Sequence, residues 1–152
     1  MRAVDTNVLA RYYLRDDPAQ ARIASGILSA GEVFVPKTVL LELEWVLRSV
    51  AEQPVDKVHA CLAHLIALPG ITVEDHDEVK SALQYCRQGI DFADALHLAA
   101  SQACSELLTF DDRGYARRAN CGSTMRRNSL SSIAFSGTSP SFAWNSNAEC
   151  GP

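Results

Sequence analysis

The amino-acid sequence predicts an α/β fold, a single domain whose central parallel sheet is flanked by helices and followed by an irregular C-terminal tail. Short apolar segments with strand character alternate with helices or helix pairs, which is typical of parallel sheets with helices on both faces. A length of 152 residues is enough for one domain and short for two. The composition, 47% hydrophobic and 21% charged, indicates a globular chain and excludes a collagen-like or wholly disordered one.

The first elements are a strand and two helices. Residues 2–5 predict a short buried strand that ends on an acid, and a helical stretch follows over about residues 7–14. Asp17 can cap a second helix over residues 18–30, because the proline that follows Asp17 suits the first helical position. Gly31 provides the stop that commonly follows a helix.

The middle of the chain continues the alternation. Residues 32–36 predict a second strand, and Thr38 can cap a strongly apolar helix that runs to about residue 50. Pro54 begins another helix, in which apolar residues recur at helical spacing. A Pro-Gly turn at residues 69–70 precedes a third strand over residues 71–73.

The last predicted elements are three helices and one strand. A helix over residues 78–87 ends near Gly89, and another spans residues 91–103. Residues 106–110 predict a fourth strand that ends on an acid, and residues 113–119 predict a helix.

The composition changes sharply after these elements. We assign residues 1–119 to the folded domain and residues 120–152 to a tail that is rich in Ser and Asn and contains a single acid, Glu149. This composition predicts a loop or a disordered segment.

Charge and cysteine content limit the possible functions. The net charge of −4 disfavours nonspecific nucleic-acid binding, so a bound metal or a local arginine patch would have to attract phosphates. The five cysteines include no CxxC pair, and the N-terminus reaches an acid before any apolar segment, which predicts reduced thiols in the cytoplasm. No apolar run is long enough for a membrane span.

Two acids follow predicted strands directly. Asp5 follows the first strand and Asp111 follows the fourth, and ligands of parallel sheets bind at this end of the strands. Each acid also precedes a helix, so N-capping is an equally good interpretation of each one taken singly. Asp112 can take the capping role beside Asp111.

The apolar helix before residue 50 contains two glutamates that cannot share a helix face. Glu44 precedes Arg48 by four positions, which favours an ordinary surface ion pair. Glu42 has apolar neighbours and no cation within helical reach, so we expect it on a partly buried face and prefer it as a site residue.

Another pair of acids begins the helix over residues 91–103. Asp91 fits the N-cap position, and Asp94 follows where a capping box places its second polar residue. Capping explains Asp91 well. It explains Asp94 less well, because Asp94 lies on the same helix face as Leu98, four residues later, and we expect this face to be partly buried.

Four of these acids predict a particular chemistry if their carboxylates meet at one end of the sheet. Four carboxylates in one pocket repel one another unless cations neutralise them, and Mg²⁺ or Mn²⁺ prefers such oxygen ligands. The chemistry that suits this pocket is phosphodiester hydrolysis by a metal-activated water. The candidate ligands are Asp5, Glu42, Asp94 and Asp111.

The four acids lie in four short motifs. These are Val-Asp-Thr-Asn-Val-Leu at residues 4–9, Leu-Glu-Leu-Glu-Trp-Val-Leu at 41–47, Asp-Phe-Ala-Asp-Ala at 91–95 and Leu-Thr-Phe-Asp at 108–111. In this order they resemble a PIN-domain ribonuclease, and within that family the VapC toxins of bacterial toxin–antitoxin pairs. The likeness covers about residues 1–119.

The resemblance implies a PIN-like fold and an Mg²⁺-dependent endoribonuclease, in which Mn²⁺ can substitute. The acidic ligands of the family match Asp5, Glu42, Asp94 and Asp111. The supporting positions match Thr6, Asn7 and Asp91. The resemblance also implies a homodimer that a small antitoxin protein neutralises. Arg113 and Arg117 can guide RNA phosphates, although a solvated helix face is the default interpretation of both.

Other functions remain open at this point. An inactive relic that still binds an antitoxin would keep partner and metal binding without cleaving RNA. A phosphorylated receiver domain also collects acids at strand ends, but it needs a lysine late in the sheet, and all lysines here precede the fourth strand. A zinc set of His59, Cys61 and His64 is disfavoured because their spacing does not converge on one helix face.

Overall fold

The sheet has three parallel strands in the order β1-β2-β3 within residues 1–104, 107 and 109, which are the residues that this computed structural model describes. The strands are β1 (Arg2–Ala3), β2 (Val33–Val35) and β3 (Ile71–Val73), with Val33 opposite Ile71. All three were predicted. Helices separate the parallel strands along the chain, so the α/β prediction is confirmed.

Helices connect the strands and follow the last of them. The α-helices within the described residues are α1 (Thr6–Leu14), α2 (Pro18–Ser29), α3 (Lys37–Trp45), α4 (Val55–Ala67), α5 (His76–Arg87) and α6 (Phe92–Ala100). A π-helical segment, Val46–Val50, continues α3 directly. Within the described part of the chain, no helix combines the length and apolar character of a membrane span.

The predicted start of α2 is confirmed, and the helix ends at Ser29, one residue before the predicted end. The Asp17 carboxylate accepts hydrogen bonds from the backbone N–H groups of Ala19 at 2.9 Å and Gln20 at 3.0 Å. The helix ends before Gly31, whose φ of +71° is a left-handed conformation that glycine adopts without strain. Gly31 lies against Gly70, where an added Cβ would come within 2.9 Å of the Gly31 Cα. The two glycines therefore allow the chain segments entering β2 and β3 to approach closely.

The predicted Thr38 cap of α3 is wrong. The helix begins one residue earlier, at Lys37, and Pro36 occupies the N-cap position without a side-chain hydrogen bond. The Lys37 N–H instead donates to the Glu74 carboxylate at 2.8 Å. The Lys37 ammonium also pairs with Glu78 at 2.7 Å. A partner from the residues after β3 thus satisfies the start of α3, which a local motif could not indicate.

The exposure of β1 and the bounds of two helices also differ from prediction. Arg2 and Ala3 are exposed, because β1 is an edge of the sheet that the described residues form, and only the following Val4 is buried. Helix α5 begins two residues earlier than predicted. Helix α6 ends at Ala100, where the Ser101 hydroxyl donates to the carbonyl of His97 at 2.7 Å and competes with the helical pattern.

The predicted fourth strand and last helix lie outside the described residues, apart from residues 107 and 109 in the strand. Leu107 packs partly buried against the core. The tail over residues 120–152 also lies outside them.

The core forms where apolar faces of the helices meet the middle strand. Both valines of β2 are fully buried. The largest fully buried side chains are Phe92, Leu9, Leu40, Leu43, Leu47, Leu62 and Leu65. Since these residues come from α1, α3, α4, α6 and the π-helical segment, one core holds together the elements that carry the candidate acids.

Replacing Leu62 by Ala should lower the free energy of unfolding by about 2–5 kcal/mol, because Leu62 is fully buried and truncation leaves a cavity. Urea denaturation followed by circular dichroism measures the change. Ile23→Ala is the matched control, since the exposed Ile23 should contribute less than about 0.5 kcal/mol. Equal losses in the two variants would contradict the described core.

Cys86 should be much less reactive than Cys104 in the folded protein. Burial raises the pKa of the Cys86 thiol to about 12, and the charges of Asp91 and Glu44 add to the rise. The thiolate is the reactive form, so Cys86 should alkylate at least ~100-fold more slowly than the exposed Cys104 at neutral pH. Peptide mass spectrometry after a pulse of iodoacetamide measures both rates. Similar rates are expected in urea, and similar rates without urea would overturn the assignment.

Candidate functional site

Asp5 lies at the carboxyl end of β1, where the chain turns into α1. It is exposed, and its Oδ1 accepts a hydrogen bond from the backbone N–H of Val8 at 3.3 Å. Asp5 is therefore the N-cap of α1, as one of the two interpretations predicted. The cap uses one carboxylate oxygen, and within the described residues Asp5 forms no ion pair. Capping and binding a cation are thus compatible roles for this side chain.

A short hydrogen bond connects the next residue to Glu42. The buried Thr6 hydroxyl donates to Glu42 Oε2 at 2.5 Å, a length typical of a hydroxyl that binds a charged carboxylate. This contact joins α1 to α3. The structure therefore brings Glu42 beside the residue that follows Asp5. The supporting role of Thr6 stays a prediction.

The expected burial of the two glutamates of α3 is wrong. Glu42 is exposed, whereas Glu44 is only 3% exposed. The reason is helical periodicity, since Glu44 occupies the same stripe as the buried Leu40, Leu43 and Leu47. Glu42 instead lies on the open face of the helix, where a ligand can reach its carboxylate.

Arg48 compensates the buried Glu44. Its Nε lies 2.7 Å from Glu44 Oε1, which confirms the predicted pair, and its Nη2 donates to Oε2 at 3.4 Å. Burial raises the pKa of the Glu44 carboxyl, the Arg48 charge opposes the rise, and Asp91 adds to it. The pair is consequently a buried structural interaction rather than the ordinary surface pair expected.

The same arginine reaches the start of α6. Arg48 Nη1 lies 3.4 Å from Asp91 Oδ2, and Asp91 Oδ1 accepts from the Ala93 N–H at 3.1 Å. Asp91 thus caps α6, as predicted, while sharing Arg48 with Glu44. Asp94 is partly buried on the first turn of α6, as expected.

The acids fall into two groups by charge compensation. Arg48 neutralises Glu44 and Asp91, whereas Asp5, Glu42 and Asp94 have no ion-pair partner among the described residues. Carboxylate oxygens without a protein cation are the donor type that a hard divalent ion prefers, so the donor chemistry fits such an ion. No three His, Cys, Asp or Glu side chains in the described part of the chain converge on a metal position. The fourth predicted ligand, Asp111, lies outside that part.

Several other predicted residues are less informative. Asn7 is exposed and forms no hydrogen bond with the candidate acids within the described residues. Arg113 and Arg117 lie outside the described residues. In the disfavoured zinc set, His64 Nδ1 lies 3.0 Å from the Tyr13 hydroxyl oxygen.

A cleft of about 360 Å³ lies beside Glu42, between α3 and the start of α6. Arg48 and Asp91 line it together with Trp45, a large side chain that is 55% exposed. We did not predict Trp45 from the sequence, although its position three residues after Glu42 places it on the same helix face. No local pattern indicates the contact between Arg48 and Asp91, because it joins distant parts of the chain.

Comparison with known proteins agrees with the motif resemblance. Residues 2–120 match the family model described as the PIN domain. No curated protein matches the chain. PIN domains are generally nucleases and typically use divalent metal ions. Because the match covers most of its length, the chain belongs to the PIN domain family.

Proposed function

We propose that the protein is an Mg²⁺-dependent endoribonuclease that hydrolyses RNA phosphodiester bonds and is the toxin of a type II toxin–antitoxin pair. The observation that carries the proposal is the hydrogen bond from Thr6 to Glu42, which brings Glu42 beside the residue that follows Asp5 at the carboxyl end of β1. Membership in a family of nucleases supports the reaction class.

The residues that would hold the cation are Asp5, Glu42, Asp94 and Asp111. A divalent cation bound there supplies positive charge to phosphate oxygens and lowers the pKa of an attacking water. Mg²⁺ is the natural occupant of an all-carboxylate site, and Mn²⁺ should substitute for it. A cation also resolves the charge problem, because a chain with a net charge of −4 otherwise repels RNA.

The remaining residues orient the acids. The Thr6 hydroxyl fixes one oxygen of Glu42 and leaves the other open. Arg48 holds Asp91, and the Asp91 cap fixes the first turn of α6, which carries Asp94. On this proposal Arg48 and Asp91 position Asp94 without binding the cation themselves. Arg113 and Arg117 are proposed to guide the RNA phosphates.

The biological assignment rests on the resemblance of the motifs to VapC toxins. It proposes a homodimer in the cytoplasm that a small antitoxin protein neutralises. The free thiols of Cys61, Cys86 and Cys104 are consistent with a reducing compartment.

Purified protein should cleave a mixed structured RNA pool with Mg²⁺ or Mn²⁺, and EDTA should abolish cleavage. Asp5→Asn should reduce the rate by at least ~100-fold, because it removes a charged ligand while Asn still caps α1. Asp56→Asn is the matched control, since Asp56 is exposed in the first turn of α4, and it should retain the wild-type rate. Gel analysis of the RNA measures all four conditions. A folded chain that binds metal without cleaving RNA would instead be the inactive antitoxin-binding relic.

Asp94→Asn should weaken Mn²⁺ binding at least ~10-fold more than Asp91→Asn. Asn can keep the cap that Asp91 makes, whereas Asp94 loses a charge that no described side chain compensates. Calorimetric titration of each variant with Mn²⁺ measures the affinities. Equal losses would show that Asp91 is a ligand, and no binding by the wild type would disprove the convergence of the acids.

A further inference from the structure

Trp45 exposes much of its large apolar side chain to solvent. Trp residues are highly buried on average, yet Trp45 is 55% exposed at the end of α3, one turn after the partly exposed Leu41. The adjoining apolar stripe of α3 faces the core. Core packing therefore does not explain why an indole occupies position 45.

The position of Trp45 connects it to the candidate acids. Trp45 follows Glu42 by three residues, so both side chains lie on one face of α3. Both line the cleft of about 360 Å³, and Arg48 and Asp91 form other parts of its wall. A ligand whose reacting group lies at Glu42 would thus pass the indole.

The charge of the cleft indicates which part of a ligand belongs beside Trp45. Three acids, Glu42, Glu44 and Asp91, line the cleft with one cation, Arg48. Arg48 already pairs with two of these acids, so a phosphate would be repelled unless a divalent cation bound it. An uncharged, planar group is not repelled, and the face of an indole is a good surface on which to stack it.

We propose that Trp45 is a stacking platform for an unpaired nucleobase of the RNA, next to the phosphate that is cleaved. The inference rests on the proposed function and adds to it the side chain that would hold the unpaired base. Bases inside a duplex already stack on their neighbours, whereas an unpaired base can turn onto an aromatic side chain.

The size of the cleft favours a base over a protein segment. Its volume lies near the lower end of the range for small-molecule sites, about 300–1,000 Å³. Its exposed wall is mainly apolar, which suits stacking, but the charged side chains of Glu42, Arg48 and Asp91 interrupt the apolar surface. An amphipathic helix needs a long, continuous apolar groove instead.

The test uses Trp45 fluorescence in a chain that also carries Trp144→Phe, so that Trp45 is the remaining tryptophan. Asp5→Asn in the same chain prevents cleavage while RNA is titrated in Mg²⁺. A short single-stranded RNA should quench the fluorescence. The same RNA with abasic positions, or as a duplex, should quench it little.

Affinity for the single strand gives the second readout. Trp45→Ala should weaken binding by about 5- to 150-fold, the equivalent of losing one base–aromatic stack, and Trp45→Phe should restore part of it. Val50→Ala is the matched control, because Val50 is an exposed apolar residue that does not line the cleft. It should bind RNA as the parent chain does.

Unchanged RNA affinity in a folded Trp45→Ala chain would overturn the inference, and so would equal quenching by duplex or abasic RNA. If the molecular mass changed while the RNA affinity did not, Trp45 would be a contact between copies of the chain. If Trp45→Ala cleaves RNA with an unchanged KM, the inference fails while the proposed function stands. Quenching by RNA without cleavage by the wild type would keep the stacking site and reject the nuclease.

Discussion

The burial of Glu44 is the constraint on which the arrangement of the site depends. A carboxylate on the apolar stripe of α3 is costly unless a cation accompanies it, so Arg48 must stay beside it. Arg48 in turn contacts Asp91, whose side chain caps α6. Arg48 thereby connects the helix that carries Glu42 to the cap of the helix that carries Asp94.

This arrangement divides the acids into those that pair with Arg48 and those that have no ion-pair partner among the described residues. Among the described residues, Arg48 is the cation that contacts these acids, and it pairs with Glu44 and Asp91. The exposed Asp5 and Glu42 have no ion-pair partner among the described residues, and Thr6, which follows Asp5, donates a short hydrogen bond to Glu42. On the proposed function, a metal bound at these acids would reverse the local field, so that an acidic protein would attract a polyanion at one place and repel it elsewhere.

The sequence predicted what local chemistry controls. The Asp17 cap and the stop at Gly31 follow from neighbouring residues, and so does the order of strands and helices. Partners that are distant in the sequence account for two of the differences. The Glu74 carboxylate, rather than Thr38, binds the backbone N–H at the start of α3. The contact between Arg48 and Asp91 is likewise not indicated by any residue near either one in the sequence. The wrong burial predicted for Glu42 and Glu44 has a different cause. That prediction rests on the immediate neighbours of each glutamate, whereas the buried face of α3 follows the helical spacing of its leucines. The predictions for Asp111, Arg113 and Arg117 stay predictions.

The contact between Gly31 and Gly70 has a consequence for how this sequence can diverge. Both residues have positive φ, and any side chain at position 70 would collide with the backbone at position 31. A substitution at position 70 cannot be rescued by a smaller residue at position 31, since Gly31 already lacks a side chain. Compensatory substitution therefore cannot relieve a side chain at position 70, and only a shift of the backbone itself would remove the clash.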